Sequence, residues 1–210
     1  MEGTCCAQGK AEPAAMHAVL GCAPTRRTAR PSAASILGWY DDDIAAEYAA
    51  RGWYTLARKA ARSIARDHGT TLRVAAGIIA AMSPMSEWSG NITASRRLAA
   101  AHAAGDRTAP AAGLRQNVDK AWRILSGERP LDVLNGPKVR AFYRNILGDL
   151  SAVTVDRWAA RAAGVPDSFV GTRARYDEVA DEYRKAAALV ELEPAILQAV
   201  VWCKIRGKAV

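Results

Sequence analysis

Hydrophobic positions recur every three or four residues along most of the chain beyond residue 36, which is the spacing of one face of an α-helix. The longest such stretch runs from about residue 53 to 68 and ends at Gly69. Four of its apolar residues share one face and are expected to point inward: Trp53, Leu56, Ala60 and Ile64. Similar patterns predict a helix opening at Asp41-Asp42-Asp43 and others at residues 70–84, 86–105, 117–127, 172–190 and from 194 onward. No run alternates apolar and polar residues as a strand does, so the sequence predicts an all-α domain of roughly eight to ten helices.

Several helix ends are marked by their residue types. Thr70 or Thr71 can cap the helix that follows, because a threonine hydroxyl accepts a hydrogen bond from a free N–H of the first turn. Pro194 suits the first position of the last helix, where its missing N–H is not needed. The first 35 residues show no period and are rich in Ala, Gly, Pro, Thr and Arg. The prediction is therefore a disordered tail at residues 1–35 and a single all-α domain at residues 36–210.

The net charge of the chain suggests a class of binding partner. The 210-residue chain is half apolar, has a formal net charge of +8 and a pI of about 9.6. Such a balance favours a polyanionic partner, with nucleic acid as the first candidate, although a basic surface also serves solubility alone. No apolar run approaches the ~20 residues that span a membrane, and no secretory signal is recognisable at the N-terminus. We therefore expect a cytoplasmic monomer without membrane contact.

The cysteines and histidines do not indicate a metal or a cofactor. None of the four cysteines forms a C-x-x-C pair; Cys5, Cys6 and Cys22 lie in the first 22 residues, and Cys203 lies near the C-terminal end. This pattern favours neither a disulfide framework nor a zinc or iron–sulfur site. The expectation is no metal and no cofactor.

A tight turn at Asn135-Gly136-Pro137 joins two short helical patterns. Asn-Gly favours positive φ, so Gly136 is expected to end one helix in the left-handed region, and Pro137 presets the first turn of the next. Lys138 then falls in that first turn, where a positive charge opposes the helix dipole and stability alone does not ask for it. A helix start with basic neighbours such as Arg140 is a natural phosphate site, but a turn of this kind also serves as a plain connector.

A second segment, "TVDRWAARAAG", places Asp156 at or just before another helix start. An aspartate there is a candidate functional carboxylate. The same position is also that of an ordinary N-cap, which contributes about 1 kcal/mol to stability. The spacing alone leaves both interpretations open.

Together, the turn and this segment resemble the helix-hairpin-helix DNA glycosylase superfamily, the endonuclease III-like proteins. In that family a hairpin of the form L-P-G-V-G-x-K-x-A precedes a V-D-x-x-x-x-R segment. The matching residues here are Leu134, Gly136, Lys138, Ala141, Val155, Asp156 and Arg161. Upstream, "GIIAAMSPMSEWSGNITASRRL" looks like the family's "LLSAQT" segment, with Ser83 at its serine and Met85 where the family usually has glutamine. The resemblance covers about residues 72–165.

The resemblance implies an enzyme that acts on a base flipped out of the DNA stack, without a metal or cofactor. Asp156 would stabilise the positive charge that develops at the sugar C1′, and Lys138 would attack that carbon as an amine nucleophile, with a possible Schiff-base lyase step. Asn135, Gly136 and Arg140 are the candidates for contact with the DNA backbone. The candidates for lining the substrate pocket are Ser83, Trp88, Asn91 and Trp158. At the C-terminal end, Lys204 and Arg206 form a basic edge that would touch DNA or, alternatively, only complement a helix C-terminus.

Three departures from the family pattern broaden the hypothesis. The hairpin is shorter than the G-x-G form, Pro137 removes a backbone donor, and the glutamine is absent. These features resemble a divergent branch predicted in bacteriophages, whose setting would be the bacterial host cytoplasm. Its members are proposed to modify DNA by displacing pyrophosphate from an activated hydroxymethyluracil with an amine. The alternatives to DNA glycosylase or repair chemistry are therefore this transferase, a non-catalytic DNA-binding module, and a helical scaffold protein.

Overall fold

The computed structural model describes residues 29–42, 52–108 and 112–206 of the chain. Ten α-helices occur in these ranges: α1 (Ala33–Leu37), α2 (Trp53–Asp67), α3 (Leu72–Met82), α4 (Trp88–Ala103), α5 (Arg115–Leu125), α6 (Pro130–Val133), α7 (Pro137–Ile146), α8 (Arg157–Ala162), α9 (Arg173–Leu189) and α10 (Pro194–Arg206). A short 3-10 helix, Asp167–Gly171, separates α8 from α9, and these ranges contain no strand. The all-α prediction is confirmed. The helix predicted to open at Asp41–Asp43 lies largely outside the described residues.

The predicted helix ends are found where the residue types place them. Thr71 caps α3, because its hydroxyl accepts a hydrogen bond from the N–H of Val74 at 3.2 Å. Gly69, with φ of 62°, follows the end of α2, and Pro194 is the first residue of α10. These ends depend on neighbours within four residues, which is why a sequence pattern identifies them.

The inward face of α2 differs from the prediction. Of the four predicted inward residues Ile64 is buried, Trp53 and Ala60 are partly buried, and Leu56 is 40% exposed. The other buried positions of α2 are Tyr54, Ala57, Ala61 and Ala65. The small alanines let α2 approach α3 closely, and the tyrosine reaches the buried polar interior of the fold.

A helix is already present before residue 36, the first residue of the predicted domain. Helix α1 starts at Ala33, and Ile36 is fully buried. The N–H of Ala33 donates to the carboxylate of Glu182 at 2.9 Å, and the N–H of Ser32 donates to the carbonyl of Ala163 at 3.0 Å. These contacts attach α1 to α8 and α9, which are more than 100 residues away in sequence, so a local pattern does not reveal them.

Two hydrophobic cores meet along α10. The first is built mainly from α2 to α7, and the second from α1, α8, α9 and the segment 153–165. Helix α10 contributes Val200 to the first core and Leu197 and Val201 to the second. Any group next to α10 therefore lies near the junction of the two cores. None of the described helices is by itself long and apolar enough to cross a membrane; α9 and α10 pass such a test only as a pair, bent by 97°.

Candidate functional site

The predicted hairpin is formed by α6 and α7, which are joined through Leu134, Asn135 and Gly136. Gly136 has φ of 79° and ψ of 146°. The positive φ agrees with the prediction, but this ψ lies outside the left-handed helical region, in a conformation that is essentially restricted to glycine. Arg140 stabilises the turn, since its Nε donates to the Leu134 carbonyl at 2.8 Å and its Nη2 to the Leu131 carbonyl at 2.9 Å. Asn135 at the tip is exposed.

Asp156 is the N-cap of α8, at the helix start that the sequence predicted. Its Oδ1 accepts hydrogen bonds from the backbone N–H groups of Trp158 and Ala159, both at 2.9 Å. Its Oδ2 accepts a hydrogen bond from the indole Nε1–H of Trp202 at 3.2 Å. Three N–H donors thus fix the orientation of this partly buried carboxylate, and one of them comes from α10, 46 residues away.

Buried polar side chains hold the segment that carries Asp156. The hydroxyl of Tyr176 donates to the Val153 carbonyl at 2.7 Å and accepts from the Val155 N–H at 3.1 Å. The hydroxyl of Thr154 donates to the Asn145 side-chain oxygen at 2.7 Å. The sequence patterns assigned no functional role to Tyr176, Asn145 or Thr154. Their partners are distant in sequence, so no local signal identified them.

Two further tyrosines lie close enough to Asp156 to respond to its charge. Burial raises the pKa of Tyr183, and the negative charge of Asp156 raises it further. Burial also raises the pKa of Tyr54, and the negative charge of Asp156 acts in the same direction. The Tyr54 hydroxyl donates to the side-chain oxygen of Gln198 on α10 at 2.8 Å. The interior behind Asp156 is therefore a neutral, hydrogen-bonded tyrosine environment, which favours a fixed carboxylate geometry.

Lys138 and Asp156 are connected indirectly, through helix α7. Lys138 is half-buried in the first turn, and Asn145 lies seven residues later on the same face of the helix, where it holds Thr154. Seven residues rise about 10 Å along a helix axis. Among the described residues, no hydrogen bond or ion pair joins the Lys138 amine to the Asp156 carboxylate. Lys138 thus lies on the same face of α7 as Asn145, which contacts the Asp156 segment, and about two helical turns before Asn145.

A tryptophan cluster adjoins the Asp156 carboxylate. Its members are Trp53, Trp88 and Trp202, all partly buried. The ring centroids of Trp53 and Trp88 are 4.7 Å apart, and those of Trp53 and Trp202 are 6.0 Å apart. Because Trp202 also donates to Asp156, the predicted pocket residue Trp88 is connected to the carboxylate through two aromatic contacts.

Arginines surround Trp158 and Trp202. The guanidinium carbon of Arg206 is 4.6 Å from the Trp202 ring centroid, and that of Arg161 is 4.9 Å from the Trp158 centroid. Arg157 lies 5.5 Å from the Trp158 ring. In the described part of the chain neither Arg157 nor Arg206 forms an ion pair with a carboxylate, whereas Arg161 pairs with Asp167. Cation–π contacts occur about once per 70–80 residues in proteins, so four contacts at these two rings make an unusually dense cationic and aromatic surface.

Three predicted site residues have roles within the fold. Asn91 is 2% exposed and bridges α3 to α4, since its amide donates to the Ile79 carbonyl at 3.0 Å and its oxygen accepts from Ser95 at 3.1 Å. The Ser83 hydroxyl donates to the Ala80 carbonyl at the end of α3. Lys204 forms an ion pair with Asp41 at 2.5 Å. Asn91 is therefore enclosed by the protein rather than placed along an open pocket.

Comparison with known proteins gives one match. Residues 23–209 match the model of a protein family that is described as a family of unknown function (DUF7178). Neither a curated protein nor a solved structure matches the chain. Within the described ranges, no group of three or more His, Cys, Asp or Glu side chains is arranged to hold a metal ion. Any functional assignment therefore depends on the geometry around Asp156.

Proposed function

The chain belongs to DUF7178, a family of unknown function, and we propose that it is an enzyme acting on a base in DNA, of the helix-hairpin-helix DNA glycosylase type. The single observation that carries the proposal is the setting of Asp156. Its carboxylate is held by three N–H donors, beside tryptophans and beside Arg157 and Arg206, which form no ion pair within the described residues. The segment that carries it is hydrogen-bonded through Thr154 to Asn145, on the α7 face on which Lys138 lies. A fixed carboxylate next to a cationic, aromatic surface suits a reaction in which positive charge develops on a sugar bound by its phosphates.

In the proposed reaction the bond between C1′ and the base nitrogen breaks. Asp156 stabilises the oxocarbenium-like carbon electrostatically, and its orientation does not have to be reorganised at the moment of reaction because its hydrogen bonds are already formed. The amine nitrogen of Lys138 forms the new bond to C1′, and the departing base takes up a proton that this nitrogen releases. Opening of the sugar then gives an imine to Lys138, which is the species that permits strand cleavage.

The α6–α7 hairpin supports the assignment of DNA as the substrate. Its glycine-restricted turn and exposed Asn135 allow close approach of a phosphate backbone, while Arg140 keeps the turn rigid. Arg157 and Arg206 supply positive charge on the Asp156 side. A nucleotide that is extruded from the duplex would meet the partly exposed tryptophan rings, on which bases stack well.

The test is a borohydride trapping assay with duplexes that carry damaged or modified bases. We expect the wild-type protein to form a covalent adduct with DNA that is lost in Lys138→Ala and strongly reduced in Asp156→Asn. Lys59→Ala is the matched control, because Lys59 is an exposed lysine on α2, a different helix from the one that carries Lys138. Nucleoside mass spectrometry of the same reactions separates base release from base decoration by an amine, the transferase alternative on this fold. Absence of any change in the nucleosides, under conditions where the DNA is bound, would rule out both chemistries.

A non-catalytic DNA-binding module is the second candidate. The observation in its favour is that both oxygens of Asp156 already serve the fold, one as the α8 cap and the other as the acceptor for Trp202. In that case binding should depend steeply on salt and be unchanged in Asp156→Asn, with no product from any base.

A further inference from the structure

A groove lies between α2, the start of α3 and the end of α7. Its volume is about 530 Å³, and its lining residues are Arg58, Thr71, Leu72, Arg73 and Leu147. None of these residues belongs to α8 or α10, the helices that carry Asp156 and Trp202. Leu147 follows Lys138 by nine residues, which places it on the opposite side of α7. The groove is therefore separate from the site described above.

One guanidinium nitrogen of Arg58 lacks a polar partner in the described part of the chain. The Nε is buried without a hydrogen bond, and among the described residues the guanidinium forms no ion pair. The turn after α7 lies against this side chain: a Cβ added at Gly148 would clash with the Arg58 Nη1, and Gly148 has φ of 98°. A buried polar atom without a partner is rare in native proteins, so the unpaired Nε requires an explanation.

Arg73 supplies a second cation at the same groove. It is exposed in the first turn of α3, and no carboxylate among the described residues pairs with it. A positive charge there opposes the α3 dipole, so the stability of α3 gives no reason for it. Burial raises the pKa of Tyr143, and the positive charge of Arg73 acts in the opposite direction, which indicates that the guanidinium lies near this part of α7.

The carboxylate beside Gly148 does not neutralise these arginines. Asp149 follows Gly148 directly, but its Oδ2 accepts a hydrogen bond from Arg144 at 2.8 Å. Its Oδ1 accepts from the Ser151 hydroxyl at 2.6 Å. The two guanidinium groups in the groove are thus left for an anion from outside the described chain. Leu72 and Leu147 add an apolar wall beside them.

We propose that this groove binds a phosphate group, with Arg58 and Arg73 as its ligands and with the apolar part of the phosphorylated ligand on Leu72 and Leu147. Planar guanidinium groups match the geometry of phosphate oxygens and form the stronger class of hydrogen bond. The same chemistry would be offered by a small phosphorylated compound and by a phosphate of the DNA backbone. The site does not depend on the proposed base-directed activity.

The experiment measures thermal unfolding and isothermal titration of the full-length protein with inorganic phosphate and with thymidine 5′-monophosphate, against chloride at equal ionic strength. We expect a saturable rise of the melting temperature with either phosphate compound. Arg58→Gln and Arg73→Gln should each weaken binding about tenfold or more, since each removes charge-assisted hydrogen bonds. Arg58→Lys keeps the positive charge but not the planar, forked guanidinium. Its affinity for phosphate should therefore lie between that of Arg58→Gln and that of the wild type. Arg97→Gln is the matched control, an exposed arginine on α4, outside the groove lining.

Equal responses in the wild type, Arg58→Gln, Arg73→Gln and Arg97→Gln would show that the effect is general ionic screening and would overturn the proposal. A lack of any response to phosphate beyond chloride would do the same. Displacement of thymidine 5′-monophosphate by a short unmodified duplex would identify the DNA backbone as the source of the phosphate. Retention of the nucleotide in the presence of bound duplex would identify a small ligand. Each of the last two results requires that the groove bind phosphate.

Discussion

Substitutions at Asp156 can separate the contribution of its shape to stability from the contribution of its charge, because its hydrogen bonds serve different partners. In Asp156→Asn the side-chain oxygen can still cap α8, because asparagine is as good an N-cap as aspartate. The amide nitrogen, however, would face the indole N–H of Trp202, so one hydrogen bond of 3.2 Å is lost and two donors oppose each other. The lost bond costs roughly 1 kcal/mol, and the loss of negative charge at the helix start adds about 0.3–1 kcal/mol.

Asp156→Ala removes the same bond and the cap as well. An N-cap aspartate contributes about 1 kcal/mol, so we expect a total loss of about 2–3 kcal/mol for alanine against 1–2 kcal/mol for asparagine. For a chain of this size each kcal/mol lowers the melting temperature by about 2–4 °C. In a Trp202→Phe background, where the indole donor is absent, Asp156→Asn should cost about 1 kcal/mol less than in the wild type.

The free energies of unfolding are measured by thermal and urea unfolding, followed by far-ultraviolet circular dichroism. The proteins compared are the wild type, Asp156→Asn, Asp156→Ala, Trp202→Phe and the double variant with Trp202→Phe and Asp156→Asn. The reasoning would be refuted if the asparagine and alanine variants unfolded at the same temperature, because the cap would then contribute nothing. It would equally be refuted if the cost of asparagine were the same with Trp202 and with phenylalanine at that position, because the bond between α8 and α10 would then carry no energy.

Three other outcomes are expected. Burial raises the pKa of Tyr176 to about 12 from 10.0, so its contribution to stability is complete below pH 10 and is lost as the pH rises from about 10 to 12; Tyr176→Phe should flatten that decline in urea-unfolding measurements by roughly 2–3 kcal/mol. A Cβ at Gly77 would lie 3.0 Å from the rigid ring of Pro130, so Gly77→Ala should lower the melting temperature in calorimetry although alanine favours helices, since overpacking costs about 1–3 kcal/mol. Arg157→Gln and Arg206→Gln should each reduce the salt slope of DNA binding by about one in fluorescence anisotropy, and unchanged slopes would place the DNA elsewhere.

The helices themselves were largely accessible from the sequence. Thr71, Gly136 and Pro194 act on backbone groups within a few residues, and the start of α8 at Asp156 follows from the same kind of local capping. The inward face of α2 was not accessible, because the choice between Leu56 and Tyr54 depends on which side meets α3 and the interior.

Local sequence patterns were enough to predict an all-α chain, the turn before Lys138 and a carboxylate at a helix start, since each depends on backbone hydrogen bonds over a short distance. The surroundings of that carboxylate depend on the folding of distant segments. The indole of Trp202 comes from 46 residues away, and Tyr176 reaches back more than 20 residues to hold Val153. The tertiary structure also places Arg58 against Gly148, in the groove for which phosphate binding is proposed. Such contacts form when the two cores pack against the helix that they share. The residues involved belong to no local sequence pattern from which these contacts could be predicted.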